Sequence, residues 1–148
     1  RTFEAAGYLR KNGAETSIVK QMFQEDMESF GDVATTVRSA EVLPGGVALA
    51  SVGEEMNNAP LIAAKSADEL IGIKGIEAAF VLGRDGESIS VSGRSLGNIN
   101  VQIICERLGG GGHLTMAGAQ LSDIELDEAE AKVRTAIEQY MQEVQNTL

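Results

Sequence analysis

The segment IEAAFVLGRDGESISVS, residues 76–92, decides the fold class of this chain. Residues 76–82 are apolar apart from Glu77, which is typical of a strand buried on both faces. Residues 88–92 alternate polar and apolar side chains, which is typical of a strand with one buried face. Residues 83–86, Gly-Arg-Asp-Gly, have the composition of a turn. The segment therefore predicts a β-hairpin.

Further strands and helices are predicted on both sides of this hairpin. Residues 40–52 predict two strands around a Pro-Gly-Gly turn, and residues 116–121 predict another strand. Apolar residues at helical spacing predict helices over residues 60–71 and 98–108 and from Asp127 to the C-terminus. Asp127 and Glu130 are predicted to form a capping-box pair. The predicted class is α+β, a small mixed sheet flanked by helices.

The first 39 residues have a different pattern. Helical spacing predicts three short helices, over residues 2–11, after a Thr16 cap, and from about Asp26, with no strand pattern among them. We interpret residues 1–39 as a helical connector and residues 40–148 as the domain that follows it. The chain begins at Arg1 without an initiator Met, so we expect it to be a piece of a longer protein.

The charge distribution limits the partners of this chain. Twelve Lys and Arg face 22 Asp and Glu, which gives a formal charge of −10. An acidic chain is a poor match for a nucleic-acid backbone, which attracts a basic surface. The middle third, residues 61–120, is nearly neutral. A small anionic ligand in a local site remains compatible with it.

The cysteine count and the hydropathy of the sequence bear on the cellular compartment of the protein. Cys105 is the only cysteine, so no disulfide forms within the chain and a reducing compartment is expected. Its place on the apolar stripe of a predicted helix indicates a core thiol. The sequence has no apolar run of the roughly 18–20 residues that would span a bilayer.

Four consecutive glycines, Gly109, Gly110, Gly111 and Gly112, precede His113, the only histidine. Consecutive glycines cost chain entropy and are typical of backbone that approaches a ligand closely. Their N–H groups can form an anion-binding nest, and a histidine adds a donor that titrates near neutral pH. The alternative is a helix stop followed by a loose surface loop. One glycine would serve that purpose, so we interpret the run as a ligand loop; no Lys-Ser/Thr follows it, which excludes a Walker A loop.

A second candidate lies at the end of the hairpin, in Ser92-Gly93-Arg94-Ser95. Arginine suits bidentate contact with phosphate or carboxylate, and Ser92 adds a hydroxyl donor. The alternative is a strand end with a solvated arginine. Asn98 is predicted to cap the next helix, whose N-terminus would also attract an anion.

Several kinds of catalytic site are missing from the sequence. A single histidine excludes a two-His metal site, and a single cysteine cannot build a zinc site. No nucleophile-elbow sequence occurs, and the acidic pairs at residues 54–55 and 68–69 are interpreted as solvated charges. The chain is predicted to bind a phosphate-bearing ligand, and to hold neither a metal nor catalytic residues.

In four segments the chain resembles the DHHA1 domain of DHH phosphoesterases: residues 92–95, 98–101, 109–115 and 117–118. Within that superfamily it is most similar to the membrane-anchored cyclic-di-AMP phosphodiesterases of Gram-positive bacteria. The opening residues 1–6 are similar to the helix that leads out of the preceding DHH domain. Met116 departs from the small residue common in the superfamily motif.

The resemblance implies a division of labour. The DHH half, outside this chain, would hold two manganese ions and activate water. The DHHA1 half would grip the substrate through Ser92, Arg94, the glycine run and His113. The parent protein would be anchored to the cell membrane with this part in the cytoplasm and not in contact with the membrane.

Three functions remain open at this stage. The first is the substrate-binding half of a cyclic-di-AMP phosphodiesterase. The second is the same half of a short-oligoribonuclease or nucleoside-bisphosphate phosphatase. The third is a non-catalytic nucleic-acid-binding or dimerisation module, since DHHA1-like domains also resemble the C-terminal domains of alanyl-tRNA synthetases.

Overall fold

The computed structural model describes residues 27–147. The chain divides into two compact units, residues 1–31 and 32–148. The predicted helices over residues 2–11 and after Thr16 lie outside the described residues. The helices are α1 (described over residues 27–38), α2 (Ala59–Leu70), α3 (Val101–Arg107) and α4 (Leu126–Thr147). The strands are β1 (Glu41–Leu43), β2 (Val47–Ser51), β3 (Ala78–Asp85), β4 (Ser88–Ser95), β5 (Gly111–Gly112) and β6 (Met116–Leu121).

The strands form one six-stranded mixed sheet in the order β1-β2-β3-β4-β6-β5. Only β2 and β3 run parallel, and α2 makes the crossover between them. All other neighbours are antiparallel. The predicted class, a small mixed sheet flanked by helices, is confirmed.

The sheet separates two apolar clusters. One face of the sheet packs against α3 and α4. The apolar cluster on this side includes Phe80, Val91, Ile104 and Ile137, each at most 2% exposed. The apolar stripe of α4 therefore packs on the sheet of its own chain. The other face packs against α2 and against Val33 and Val37 of α1 through β2 and β3, and its apolar cluster includes no residue of β4, β5 or β6.

The β3–β4 hairpin forms as predicted, but its turn lies further along the chain. The strands pair from Ala78 with Ser95 to Asp85 with Ser88, so Gly86 and Glu87 form the turn. Gly83 belongs to β3: a Cβ there would lie 2.6 Å from the carbonyl oxygen of Ala59. The glycine serves the close approach of α2 and not a reversal of the chain.

Two predicted helix caps are wrong. Helix α3 begins at Val101, and its N-cap is Asn100, whose side chain accepts from the N–H groups of Gln102 (3.0 Å) and Ile103 (3.3 Å). Asn98 instead donates from Nδ2 to Glu77 at 2.7 Å. The expected capping box of Asp127 and Glu130 does not form.

Helix α4 starts at Leu126, before the predicted cap at Asp127. The Glu130 carboxylate accepts from the Ser51 hydroxyl at 2.6 Å, a contact across the fold. The Glu130 side chain therefore bonds to a residue distant in the chain and not to the start of its own helix, where the local pattern placed it.

The packing at Gly83 generates a stability prediction. We expect Gly83→Ala to lower the free energy of unfolding by about 1–3 kcal/mol, because the added methyl group meets the backbone of Ala59. Urea unfolding of the chain measures it. The control is Gly31→Ala, where a Cβ has open space within a helix and no loss is expected. An unchanged unfolding midpoint for Gly83→Ala would contradict this account of the α2–β3 contact.

Candidate phosphate-binding site

The side chains of Ser92 and Arg94 lie on the face of the sheet against which α2 packs. The register places Ser92 opposite Gly118 of β6, and Gly118 opposite Gly111 of β5. Arg94 lies opposite Met116 in the same way. Because side chains alternate between the faces of a strand, all of these residues share one face. The structure thus brings both sequence candidates, the Ser-Gly-Arg segment on β4 and the glycine run at β5, to one face of the sheet, with β6 between them.

The Arg94 guanidinium donates two hydrogen bonds, one to helix α2 and one to the backbone of its own strand. Its Nε donates to Oδ1 of Asp68 on α2 at 2.8 Å, and its Nη1 donates to the carbonyl oxygen of Gly93 at 2.9 Å. The Arg94 side chain is 13% exposed, whereas that of Asp68 is 57% exposed. Neither of these bonds uses Nη2 of Arg94. Asp68 is thus exposed, as a solvated charge is expected to be, but it is also the partner of the candidate arginine.

The first two glycines end helix α3. The Gly109 N–H donates to the carbonyl of Glu106 at 3.0 Å, and the Gly110 N–H donates to the carbonyl of Cys105 at 2.8 Å. Gly109 has a φ of +87°, so the pair forms a Schellman motif with the left-handed residue where glycine is favoured. Both N–H groups are used by the helix end. An anion-binding nest at this run therefore cannot include the N–H groups of Gly109 and Gly110.

The last two glycines form β5, the edge strand beside β6, so the run is neither a loose loop nor a free nest. A Cβ at Gly110 would collide with the carbonyl oxygen of Gly118, and one at Gly112 would lie 2.5 Å from Met116 O. A Cβ at Gly111 would meet nothing within 4 Å. Gly110 and Gly112 thus allow contact with the backbone of β6, while Gly111 keeps the open face flat.

One N–H of the glycine strand is directed away from the sheet. The His113 N–H donates to the carbonyl of Met116 at 2.7 Å, toward β6. Since N–H groups alternate in direction along a strand, that of Gly112 points to the free edge. The edge therefore offers one backbone donor beside His113.

His113 is exposed and lies in the turn between β5 and β6. Met116 lies between His113 and Arg94 in the sheet, so the latter two are two strand spacings apart, about 10 Å. Met116 itself is 53% exposed. The alternation that puts Ala117 inside puts Met116 outside.

The N-terminus of α3 does not join this site. Its first N–H groups have partners: Val101 donates to the carbonyl of Leu114 at 3.1 Å, and Gln102 and Ile103 donate to the Asn100 side chain. No donor of this helix end is left for an anion. The prediction that this helix N-terminus would attract an anion is therefore wrong.

Cys105 has the properties of a core thiol, as predicted. It is fully buried beneath the sheet, and burial raises its pKa to about 11. Among residues 27–147, no three His, Cys, Asp or Glu side chains come together where they could hold a metal ion. Over the same residues no helix is both long and apolar enough to cross a membrane.

The chemistry of this face is that of anion recognition. The face carries the fixed guanidinium of Arg94, the buried Ser92 and the side-chain-free Gly118 and Gly111, and His113 lies at its edge. The absence of side chains at these two glycines allows a ligand to approach the backbone.

The family described as the DHHA1 domain matches residues 44–143. A cyclic-di-AMP phosphodiesterase, PdeA, from Listeria monocytogenes is 44% identical over 141 residues, which are 95% of this chain and 22% of that protein. The bifunctional oligoribonuclease and PAP phosphatase NrnA of Thermus thermophilus is 35% identical over 79 residues, 51% of this chain and 24% of that protein. The chain thus spans about a fifth to a quarter of the length of these relatives.

A solved structure has the same fold. The exopolyphosphatase-related protein from Bacteroides fragilis superposes with a TM-score of 0.66 at 22% sequence identity. The alignment covers 76% of this chain and 35% of that one. At this identity the similarity concerns the fold alone.

Two glycine substitutions separate the structural glycine from the open one. We expect Gly110→Ala to lower the melting temperature by several degrees, because its methyl group meets the β6 backbone. Gly111→Ala should leave the melting temperature unchanged within about 1–2 °C, because its methyl group has open space and φ there is not positive. Thermal unfolding followed by circular dichroism checks both. Equal losses in the two variants would contradict the different roles of these glycines.

Proposed function

Because this chain belongs to the DHHA1 domain family, we propose that it is the nucleotide-binding half of a DHH-type phosphodiesterase that hydrolyses cyclic-di-AMP. The observation that carries the proposal is the shared face of Ser92, Arg94 and the glycine strand, on which a phosphate group finds a cation and donors together. The 44% identity with the Listeria cyclic-di-AMP phosphodiesterase supports the choice of substrate.

In this proposal Arg94 binds a phosphate through the edge of its guanidinium that Asp68 does not engage. Ser92 donates to a second phosphate oxygen. Gly111 and Gly118 allow the sugar or base to approach the sheet, and His113 binds from the edge. These groups orient the nucleotide and neutralise part of its charge, which is a binding contribution to catalysis.

We propose that manganese binding and hydrolysis belong to a DHH half in the same polypeptide. The described residues of this chain do not provide a metal site of their own, so no step of the reaction is assigned to them. The metal would activate water for attack on the phosphate. We also propose, from the resemblance, that this part works in the cytoplasm and that its parent is anchored to the cell membrane. A homodimer through this chain stays a prediction, which sedimentation tests.

The alternative substrate class is a short oligoribonucleotide or a nucleoside bisphosphate. The 35% identity with NrnA over half of the chain favours it, and its ligands carry the same phosphate and base groups. Competition of cyclic-di-AMP, pApA and pAp for the complete enzyme decides between the two. The proposal requires the highest kcat/KM for cyclic-di-AMP.

The division of labour predicts the behaviour of the chain alone. We expect the 148-residue chain with added Mn²⁺ to hydrolyse no cyclic-di-AMP, because the metal-binding half is outside it. Chromatographic detection of pApA and AMP measures the reaction. Turnover that follows the chain through purification, and is absent from a mock preparation, would contradict the proposal.

The site predicts a selective effect of arginine substitution in the complete enzyme. We expect Arg94→Ala to lower kcat/KM for cyclic-di-AMP about 10- to 100-fold, because a charge-assisted phosphate contact is lost. His113→Ala should lower it in the same direction. The matched control is Arg134→Ala, which removes an exposed arginine of α4 paired with Glu41 at 2.8 Å. Wild-type kinetics for both Arg94→Ala and His113→Ala would remove the site assignment.

A further inference from the structure

Asp68 occupies a position that sequence reasoning did not connect with the site. It lies on α2, between the buried residues Ala67 and Leu70, and its Oδ1 accepts from Nε of Arg94 at 2.8 Å. Arg94 belongs to β4, which is distant in the chain. The contact therefore depends on how α2 packs on the sheet, and it is specific to the fold.

The Asp68 carboxylate fixes the orientation of the guanidinium. With Nε on Asp68 and Nη1 on the Gly93 carbonyl, two of the three nitrogens are anchored on different elements. The Arg94 side chain is only 13% exposed, so rotation about its terminal bonds would break a partly covered ion pair. Nη2 is the one guanidinium nitrogen that these two anchors do not use.

The same carboxylate changes the charge that a ligand meets. Arg94 and Asp68 together carry no net charge, although the guanidinium edge still donates hydrogen bonds. A phosphodiester carries one negative charge, whereas a terminal phosphate carries close to two at neutral pH. The second charge is repelled by Asp68 and gains less from Arg94 than it would from a lone arginine.

We propose that Asp68 is a positioning and specificity-determining residue, which directs Arg94 toward phosphodiesters and against terminal phosphates. This inference rests on the proposed function, since it assumes that Arg94 binds substrate phosphate. The arginine alone would not provide this selectivity. The Arg94–Asp68 pair still donates hydrogen bonds to a phosphate, but its lack of net charge disfavours a ligand with two negative charges.

Two competitive inhibitors that differ by one charge test the proposal in the complete enzyme. Adenosine 5′-monophosphate carries a terminal phosphate, and its 5′-methyl phosphate ester carries a monoanionic diester with the same base and ribose. The measured quantity is the ratio of the inhibition constant of the monophosphate to that of the ester, against cyclic-di-AMP turnover. Loss of Arg94 orientation affects both constants, so it cancels in the ratio, while a charge effect does not.

We expect Asp68→Asn to lower this ratio about 3- to 10-fold at low salt, because the neutral amide no longer repels the second charge. The change should shrink as salt is added. Asp68→Glu should keep the wild-type ratio. The matched control is Glu69→Gln, which removes the same charge one residue along α2 without touching the arginine partner; it should keep the ratio as well.

The outcomes distinguish this inference from the function on which it rests. If Arg94→Ala leaves both inhibition constants unchanged, the proposed function of this face fails, and the role of Asp68 fails with it. If Arg94→Ala weakens both inhibitors but Asp68→Asn leaves their ratio at the wild-type value, only the inference about Asp68 is overturned. An equal change of the ratio in Glu69→Gln would reduce the effect to net charge and overturn it too.

Discussion

The pairing of β4 with β6, in the register that sets Ser92 opposite Gly118, determines which residues share the open face of the sheet. Side chains alternate along a strand, so a slip by one residue would turn Arg94 toward the α3 side and bring Gly93 to the open face. The opposite face of β4 carries Ile89 and Val91, which are buried in the larger apolar cluster. Burial of these two side chains therefore fixes the register of β4, and the register determines which residues form the candidate site.

The same register explains the glycine run. β5 continues the sheet beyond β6, and its close contact with the β6 backbone excludes a Cβ at Gly110 and at Gly112. Gly109, with its positive φ, ends α3 and allows the chain to turn into this strand. Three of the four glycines thus have a structural reason, and only Gly111 has none. Its lack of a side chain matters for what can approach the sheet from outside.

Local patterns predicted a good part of this molecule. The hairpin, the β6 strand over residues 116–121 and the Pro-Gly-Gly turn between β1 and β2 depend on periodicity and turn chemistry, which a single sequence contains. The errors concern contacts between distant segments. The sequence pattern indicates a turn at Gly83, but the structure shows that this glycine allows the close approach of α2. The pattern likewise indicates a capping role for Glu130, but its carboxylate accepts from Ser51. Asp68 had no sequence signal at all, because its partner Arg94 is brought to it only by the packing of α2 on the sheet.

The central claim is that the face formed by Ser92, Arg94 and the glycine strand binds the nucleotide. Nuclear magnetic resonance of the ¹⁵N-labelled chain, titrated with cyclic-di-AMP, tests it most directly, because each glycine amide and the Arg94 Nε–H give separate signals. The account predicts the largest shifts at Gly111, Gly112, Gly118 and Arg94 Nε. Shifts confined to the groove between α3 and α4, lined by Leu108, Lys132 and Ala136 on the opposite side of the sheet, would contradict it.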